Sequence, residues 1–195
     1  MTTEVLANRL WPATAQSGLI RNVLLAVLGS LIVAVAAQIN VPMLPVPMTL
    51  QSLAVLAIGA AYGSRLGAAT LALYALEGAI GLPVLAQFKS GVMLASFGYV
   101  LGFIAAAYVV GLLAERGFDK SIPKMFAAML AGAAVLYIPG LIWLAVWVGS
   151  FATAIEFGLI PFMAGDLVKA AIAAVGFPAV WTLLGRMVNK NGGFR

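Results

Sequence analysis

An all-α, polytopic membrane protein is the fold class this sequence predicts, and three observations predict it. Of its 195 residues, 64% are hydrophobic and 9% are charged, whereas roughly a quarter charged is ordinary for a soluble domain. The mean hydropathy is +1.09. The apolar residues gather into six segments, with most charges, prolines and glycine turns between them. Residues 1–195 are expected to form a single membrane domain with both termini cytoplasmic.

Residues 1–18 are polar and mixed, and lack the charged, apolar and small-residue succession of a signal peptide. They read as a cytoplasmic tail. From about Leu19 to Gln38 the chain is apolar apart from Arg21 and Asn22, long enough to cross ~30 Å of hydrocarbon. In this first helix Ala26, Ser30, Ala34 and Gln38 stand four apart, and the first three form a stripe of small residues. Such a stripe lets helices approach closely, either within one chain or between chains. Pro42, Pro45 and Pro47 then forbid a helix and favour a stiff extended loop. That loop is either a lid or a tight connector.

Thr49 and Gln51 open a second helix, about 49–63, and a third follows at about 66–82, stopped by Gly81-Leu82-Pro83. Glu77, near the end of the third, either lines a cavity or reaches headgroup water. Val84 to Ser96 is a loop carrying Lys89. The fourth helix covers about 97–114 and opens through Gly98-Tyr99. A short charged loop leads to the fifth helix, about 125–148, where Pro139-Gly140 predicts a kink and Tyr137, Trp143 and Trp147 are aromatic. A connector with Glu156 and Pro161 precedes the sixth helix, about 164–188.

Orientation follows from the basic residues. Arg9, Arg21, Arg65, Arg116, Lys120, Lys124, Arg186, Lys190 and Arg195 fall on the side of the termini, and the opposite loops carry Lys89 and Glu156. Positive charge marks the cytoplasmic side. The net charge of +5 is thereby explained without nucleic acid.

Asp166 and Lys169 are the opposite charges that lie close together inside a segment apolar enough to cross a bilayer. Three residues at ~1.5 Å rise place them about 4.5 Å apart along one helix face. Each alone costs on the order of 2.5–3.5 kcal/mol at the membrane centre, so the pair faces a bundle interior or a water-filled cavity. It is either a binding site near the outer surface or a structural ion pair. The sequence contains neither histidine nor cysteine. That removes the usual general base, thiolate and metal ligands, so neither an enzyme nor a metal or cofactor site is expected. No Gly-x-x-x-x-Gly-Lys-Ser/Thr phosphate loop is present. A self-powered secondary transporter is the main competing class, but no matched pair of interrupted helices is visible in two halves.

Four stretches together resemble the BioY family. They are Pro45-Val46-Pro47-Met48-Thr49-Leu50-Gln51, Tyr74 through Gly78-Ala79-Ile80-Gly81-Leu82-Pro83-Val84, Gly98-Tyr99-Val100-Leu101-Gly102-Phe103, and Pro161-Phe162-Met163-Ala164-Gly165-Asp166-Leu167-Val168-Lys169. Members are biotin-specific substrate-binding subunits, or S components, of energy-coupling factor transporters. Ser96-Phe97-Gly98-Tyr99 and Gln87-Phe88-Lys89-Ser90-Gly91 depart from the family pattern. The resemblance implies a multi-pass protein of a bacterial or archaeal cell membrane that binds biotin at its outer face. It also implies partnership with a transmembrane coupling protein and two ATPases, and makes Ala26, Ser30 and Ala34 the docking stripe. Asp166 and Lys169 would read the ureido group, and either Lys89 or Lys169 would meet the carboxylate. Tyr99 and Trp143 would wall the apolar ring, and Gln51, Thr49 and Glu77 complete the candidate set.

Overall fold

A helix of 12 residues sits at the centre of the molecule, with longer helices around it. This arrangement is seen in a computed structural model, which describes residues 4–12 and 18–191, with side chains through Met187. The helices are α1 (Leu6–Leu10), α2 (Gly18–Gln38), α3 (Gln51–Tyr62), α4 (Ser64–Ala79), α5 (Phe97–Ala114), α6 (Ile122–Val148), α7 (Phe151–Gly158) and α8 (Ile160–Asn191). Single 3-10 turns lie at Ala86–Phe88 and Phe118–Lys120. The fold is helical apart from a two-stranded ribbon, β1 (Asn40–Val41) antiparallel to β2 (Met48–Thr49), with Asn40 opposite Thr49. The ribbon closes the base of the proline loop, so that loop is anchored at both ends.

Among the described residues four helices are long and apolar enough to cross a membrane: α2, α5, α6 and α8. Their outward faces remain apolar, as in Leu24, Leu28 and Val35 of α2 or Val168 and Ile172 of α8. Hydrocarbon can solvate such faces where water would not. The protein is thus a multi-pass membrane protein. Of the six crossings expected, α3 and α4 are shorter than a straight span, at 12 and 16 residues. No residue of α3 is exposed. At ~1.5 Å per residue α3 is about 18 Å long, so it ends well inside the molecule and leaves a space above its N-terminus.

Close contacts hold α3 in place. Gly59 has the backbone of Ala107 in α5 at less than a side chain's distance; a Cβ there would lie 2.8 Å from the Ala107 Cα. At the C-terminal end of α3, Gly63 adopts φ +83°, the left-handed region that glycine enters without a Cβ clash. The chain reverses there into α4. Glu115 at the end of α5 accepts from the Ser64 N–H at 2.7 Å and the Ser64 hydroxyl at 2.8 Å, capping the first turn of α4.

Several boundaries differ from the sequence expectation. The described part of the N-terminal tail, residues 4–12, contains the helix α1, and Val5 just before it is buried together with its Leu6 and Ala7. Arg21 Nη2 donates to Asn8 Oδ1 at 3.0 Å and ties that helix to α2. Residues 1–3 and 13–17, the Lys190 side chain and Arg195 lie outside the described residues. The Glu156 connector is itself helical, because Gly149 at φ +76° ends α6 and Ser150 Oγ accepts from the Thr153 N–H at 3.3 Å to start α7. The last helix begins at Ile160 rather than 164, since Pro161 in a first turn lacks only an N–H that has no helical partner there.

Arg65, Arg116, Lys120 and Lys124 lie at the opposite end from the cavity-forming residues. Arg65 starts α4, Arg116 follows α5, and Lys120 and Lys124 precede or open α6. At the other end lie the start of α3, the start of α5, the later half of α6 and the start of α8.

Candidate binding site

The space above α3 is a cavity of about 60 Å³. Thr49, Gln51, Ser52, Tyr99, Tyr137, Phe162, Asp166 and Lys169 line it, and the turn residues Leu85 and Ala86 lie across its top. Thr49 Oγ1 accepts from the Gln51 N–H at 3.2 Å, filling one open valence at the N-terminus of α3. Ser52 then points from that first turn at the charges of α8.

Lys169 Nζ lies 3.2 Å from Asp166 Oδ1, and each side chain is 12% exposed. Ser52 bridges them. Its Oγ accepts from Lys169 Nζ at 2.8 Å and donates to Asp166 Oδ1 at 3.2 Å. The Tyr137 hydroxyl, from α6, donates to Asp166 Oδ2. A carboxylate offers about four lone-pair sites and an ammonium three N–H donors. The protein uses three of the former and two of the latter. Among the described residues one acceptor position, on Asp166 Oδ2, and one Lys169 donor therefore remain.

The walls are aromatic. Tyr99 and Tyr137 meet edge to face with centroids 6.1 Å apart. The Tyr99 hydroxyl donates to the Gly158 carbonyl at 2.9 Å, joining α5 to α7. Its ring lies over Gly140, where a Cβ would collide with it. Gln51 is buried, and its Nε2 donates to the Tyr74 hydroxyl at 2.5 Å. Tyr74 in turn donates to the Val84 carbonyl at 2.9 Å.

A second, wider hollow of about 570 Å³ lies beyond the first, lined by Leu44, Pro45, Lys89, Met93, Trp147 and Phe157 among others. Pro47, Ala86 and Ser96 border both. The inner chamber has room for a few water molecules. The outer one falls in the ~300–1,000 Å³ range of ligand sites.

Of the residues singled out from sequence, Asp166, Lys169, Gln51, Thr49 and Tyr99 come together at the inner chamber. Lys89 does not; it borders the outer hollow. Trp143 faces elsewhere, with Nε1 donating to the Leu94 carbonyl at 3.0 Å and its ring 5.9 Å from Phe97. Its polar handle is already used to hold the loop before α5. Glu77 lies away from the cavity, accepting from the Ser30 hydroxyl at 3.1 Å. That contact also places the middle of the stripe on α2 inside this chain. Ser30 is fully buried against α4, while Ala26 and Ala34 are half-buried at the edge of the same contact. Ser52 and Tyr137 were not among the sequence candidates. A serine following Gln51 at a helix start and a tyrosine just before Pro139 were the available signals.

A multi-pass helical membrane protein with a polar chamber enclosed near one end is the class that this fold and site define. A model of the BioY family matches residues 4–186, and the chain belongs to that family. It is 38% identical over 147 residues to the biotin transporter BioY of Thermotoga maritima, covering 74% of this chain and 86% of that protein. It is 36% identical over 178 residues to the biotin transporter BioY of Rhizobium etli, covering 85% and 91%. Among solved structures, the S-component for biotin from an ECF-type ABC transporter superposes with a TM-score of 0.74 at 20% identity, covering 87% of this chain and 95% of that one. At that identity the superposition speaks to the fold.

Proposed function

We propose that this protein is the biotin-capturing membrane subunit of an ATP-driven vitamin uptake transporter, and not an enzyme. The observation that carries the reading is the pair of valences left open at Asp166 and Lys169. Biotin's ureido edge presents an N–H beside a carbonyl, which one carboxylate lone pair and one ammonium proton complement. Because the two charges cancel, a neutral polar group suits the chamber better than an anion. The Tyr99, Tyr137 and Phe162 rings suit the apolar body of the bicycle. The aliphatic tail would lie toward the outer hollow, with its carboxylate at Lys89.

On this reading α3 and α4 also span the membrane, as a hairpin enclosed by the longer helices, giving six crossings in one domain. Both termini and the Arg65, Arg116, Lys120 and Lys124 end are cytoplasmic, and the chamber opens outward in the inner membrane of a bacterial or archaeal cell. A transmembrane coupling protein and two ATPases supply the energy, with Ala26 and Ala34 at the edge of the docking face. The family relationship to biotin transporters supports this assignment. Calorimetric titration of biotin into the detergent-purified protein tests it. One-to-one binding, with unaltered biotin recovered on denaturation, is expected; no binding heat in ligand-free protein would refute the proposal.

A further inference from the structure

The wall between the two chambers is a short reverse turn. Ala86 borders both, Leu85 faces the inner one, and Gln87 and Lys89 border the outer. The turn closes on itself through the Leu85 N–H, which donates to the Lys89 carbonyl at 3.1 Å. It also contains two successive non-glycine residues in the left-handed region, Gln87 at φ 61° and Phe88 at φ 55°. Such a backbone persists only where its surroundings hold it.

Gln38, the last residue of α2, supplies that hold. Its Nε2 donates to the Leu85 carbonyl at 3.1 Å, and its Oε1 accepts from the Phe88 N–H at 3.0 Å. Nε2 also donates to the Ala34 carbonyl at 3.1 Å, which fixes the amide against its own helix. Only a side chain with a donor and an acceptor in one plane can grip both strands of the turn. From the other side the Gln51 to Tyr74 to Val84 chain fixes the beginning of the same segment.

We infer that Gln38 is a positioning residue for the binding site, clamping the turn that closes the inner chamber and thereby setting how long the ligand stays. The inference rests on the biotin-binding reading above. The turn stands between the inner chamber and the outer hollow, so a ligand that reaches Asp166 and Lys169 from the outer hollow has to pass it. The clamp opens for that passage and closes behind the bound ring. It should act on release more than on capture, because the closed state is the one it stabilises. It also places Lys89, which ends the turn.

The test compares Gln38→Met, which keeps length and loses both bonds, with the wild-type protein. In a chase of labelled biotin, release is expected to quicken about tenfold and association to change less than about twofold, as befits the loss of a hydrogen-bonded clamp. A variant that merely folded less well would lower the bound fraction without altering the release rate. The sequence has no cysteine, so Gln87→Cys gives a single labelling site. Maleimide labelling there is expected to be faster when Gln38→Met is added. In the wild-type protein, biotin should slow hydrogen exchange of residues 84–89, a measurement that needs no variant at position 38. Unchanged release, unchanged labelling or unchanged exchange in a protein that binds biotin overturns this inference alone. A wild-type protein that does not bind biotin overturns it together with the reading it rests on.

Discussion

Tyr137 donates its hydroxyl hydrogen to Oδ2 of Asp166, across the contact between α6 and α8. The bond leaves Oδ1 to Ser52 and Lys169, so the carboxylate is gripped from three elements and its plane is fixed. A group held this way presents its remaining lone pair in one direction, which is the preorganisation that tight binding requires.

Tyr137→Phe should therefore weaken biotin binding while leaving the ring packing intact. A hydrogen bond to a charged group is worth about 1.5–3 kcal/mol, so a loss of roughly tenfold to a hundredfold in affinity is expected by titration calorimetry. Ser52→Ala should act in the same direction. Parental affinity in both variants would mean that Asp166 needs no help to stay in place.

Asp166→Asn separates a binding pair from a structural lock. As a binding group, Asp166 loses its charge-assisted acceptor and leaves Lys169 without its partner, at a cost on the order of 2–5 kcal/mol in binding. As a lock, the same change lowers the melting temperature, and adding Lys169→Met restores it. Titrating biotin into both variants beside their melting curves decides the matter. A stable double variant that still binds tightly would remove the pair from the site.

Lys89 borders the open hollow and is solvent-exposed, so its contribution is bounded by screening. An exposed ion pair is worth about 0–1 kcal/mol. Lys89→Gln should cost biotin no more than about fivefold in affinity, reduce the salt dependence of binding, and leave the affinity for biotin's primary amide unchanged. A hundredfold loss would show that the hollow closes over the tail.

Asp119 gives a pH prediction at the opposite end. It is fully buried in the turn between α5 and α6; Oδ2 accepts from Trp181 Nε1 at 2.6 Å, and Oδ1 has no partner among the described residues. Burial pushes its carboxyl above the usual range, outweighing the Trp181 bond and the charge of Lys120. A folded-state value above the unfolded one favours the folded protein while the group is protonated. That stability is lost as pH rises from about 4, the unfolded value, through the raised folded value. Asp119→Asn keeps an acceptor for Trp181 and removes the charge, so melting temperature should rise at neutral pH and vary less between acid and neutral. An equal pH slope in the variant would place the sensitivity elsewhere.

Asp166 and Lys169 were legible as a unit because two charges one helical turn apart stand out in an apolar segment, whatever the fold. Gln51, Thr49 and Tyr99 were legible through motifs that place them at helix starts. Tyr137 and Ser52 were not, since each is an uncharged polar residue in a largely apolar helix and only the meeting of α3, α6 and α8 gives it a partner. Trp143 was assigned to the ring wall on its aromatic character, but direction depends on helix rotation, and its indole faces the Leu94 loop. From spacing alone Ser30 suited packing within the chain as well as docking between chains, because small residues suit any close approach. Its neighbour turned out to be Glu77 of the same chain. The helix at Phe151–Gly158 was hidden by its eight residues, too few for a periodicity to declare itself.

If α3 spans the membrane as proposed, its length of 12 residues concentrates the electric field beneath the chamber. A potential drops across dense matter between two aqueous compartments, here about 18 Å of helix in place of the ~30 Å bilayer interior. Asp166 and Lys169 stand at the upper edge of that layer and carry no net charge between them. With the chamber facing outward, a carboxylate resting by Lys89 stays above the drop, where it escapes most of the ~2.3 kcal/mol that each 100 mV exerts on a charge moved fully across. Capture of the anionic vitamin then proceeds with the same affinity in energised and de-energised vesicles, and the electrical work falls on inward delivery.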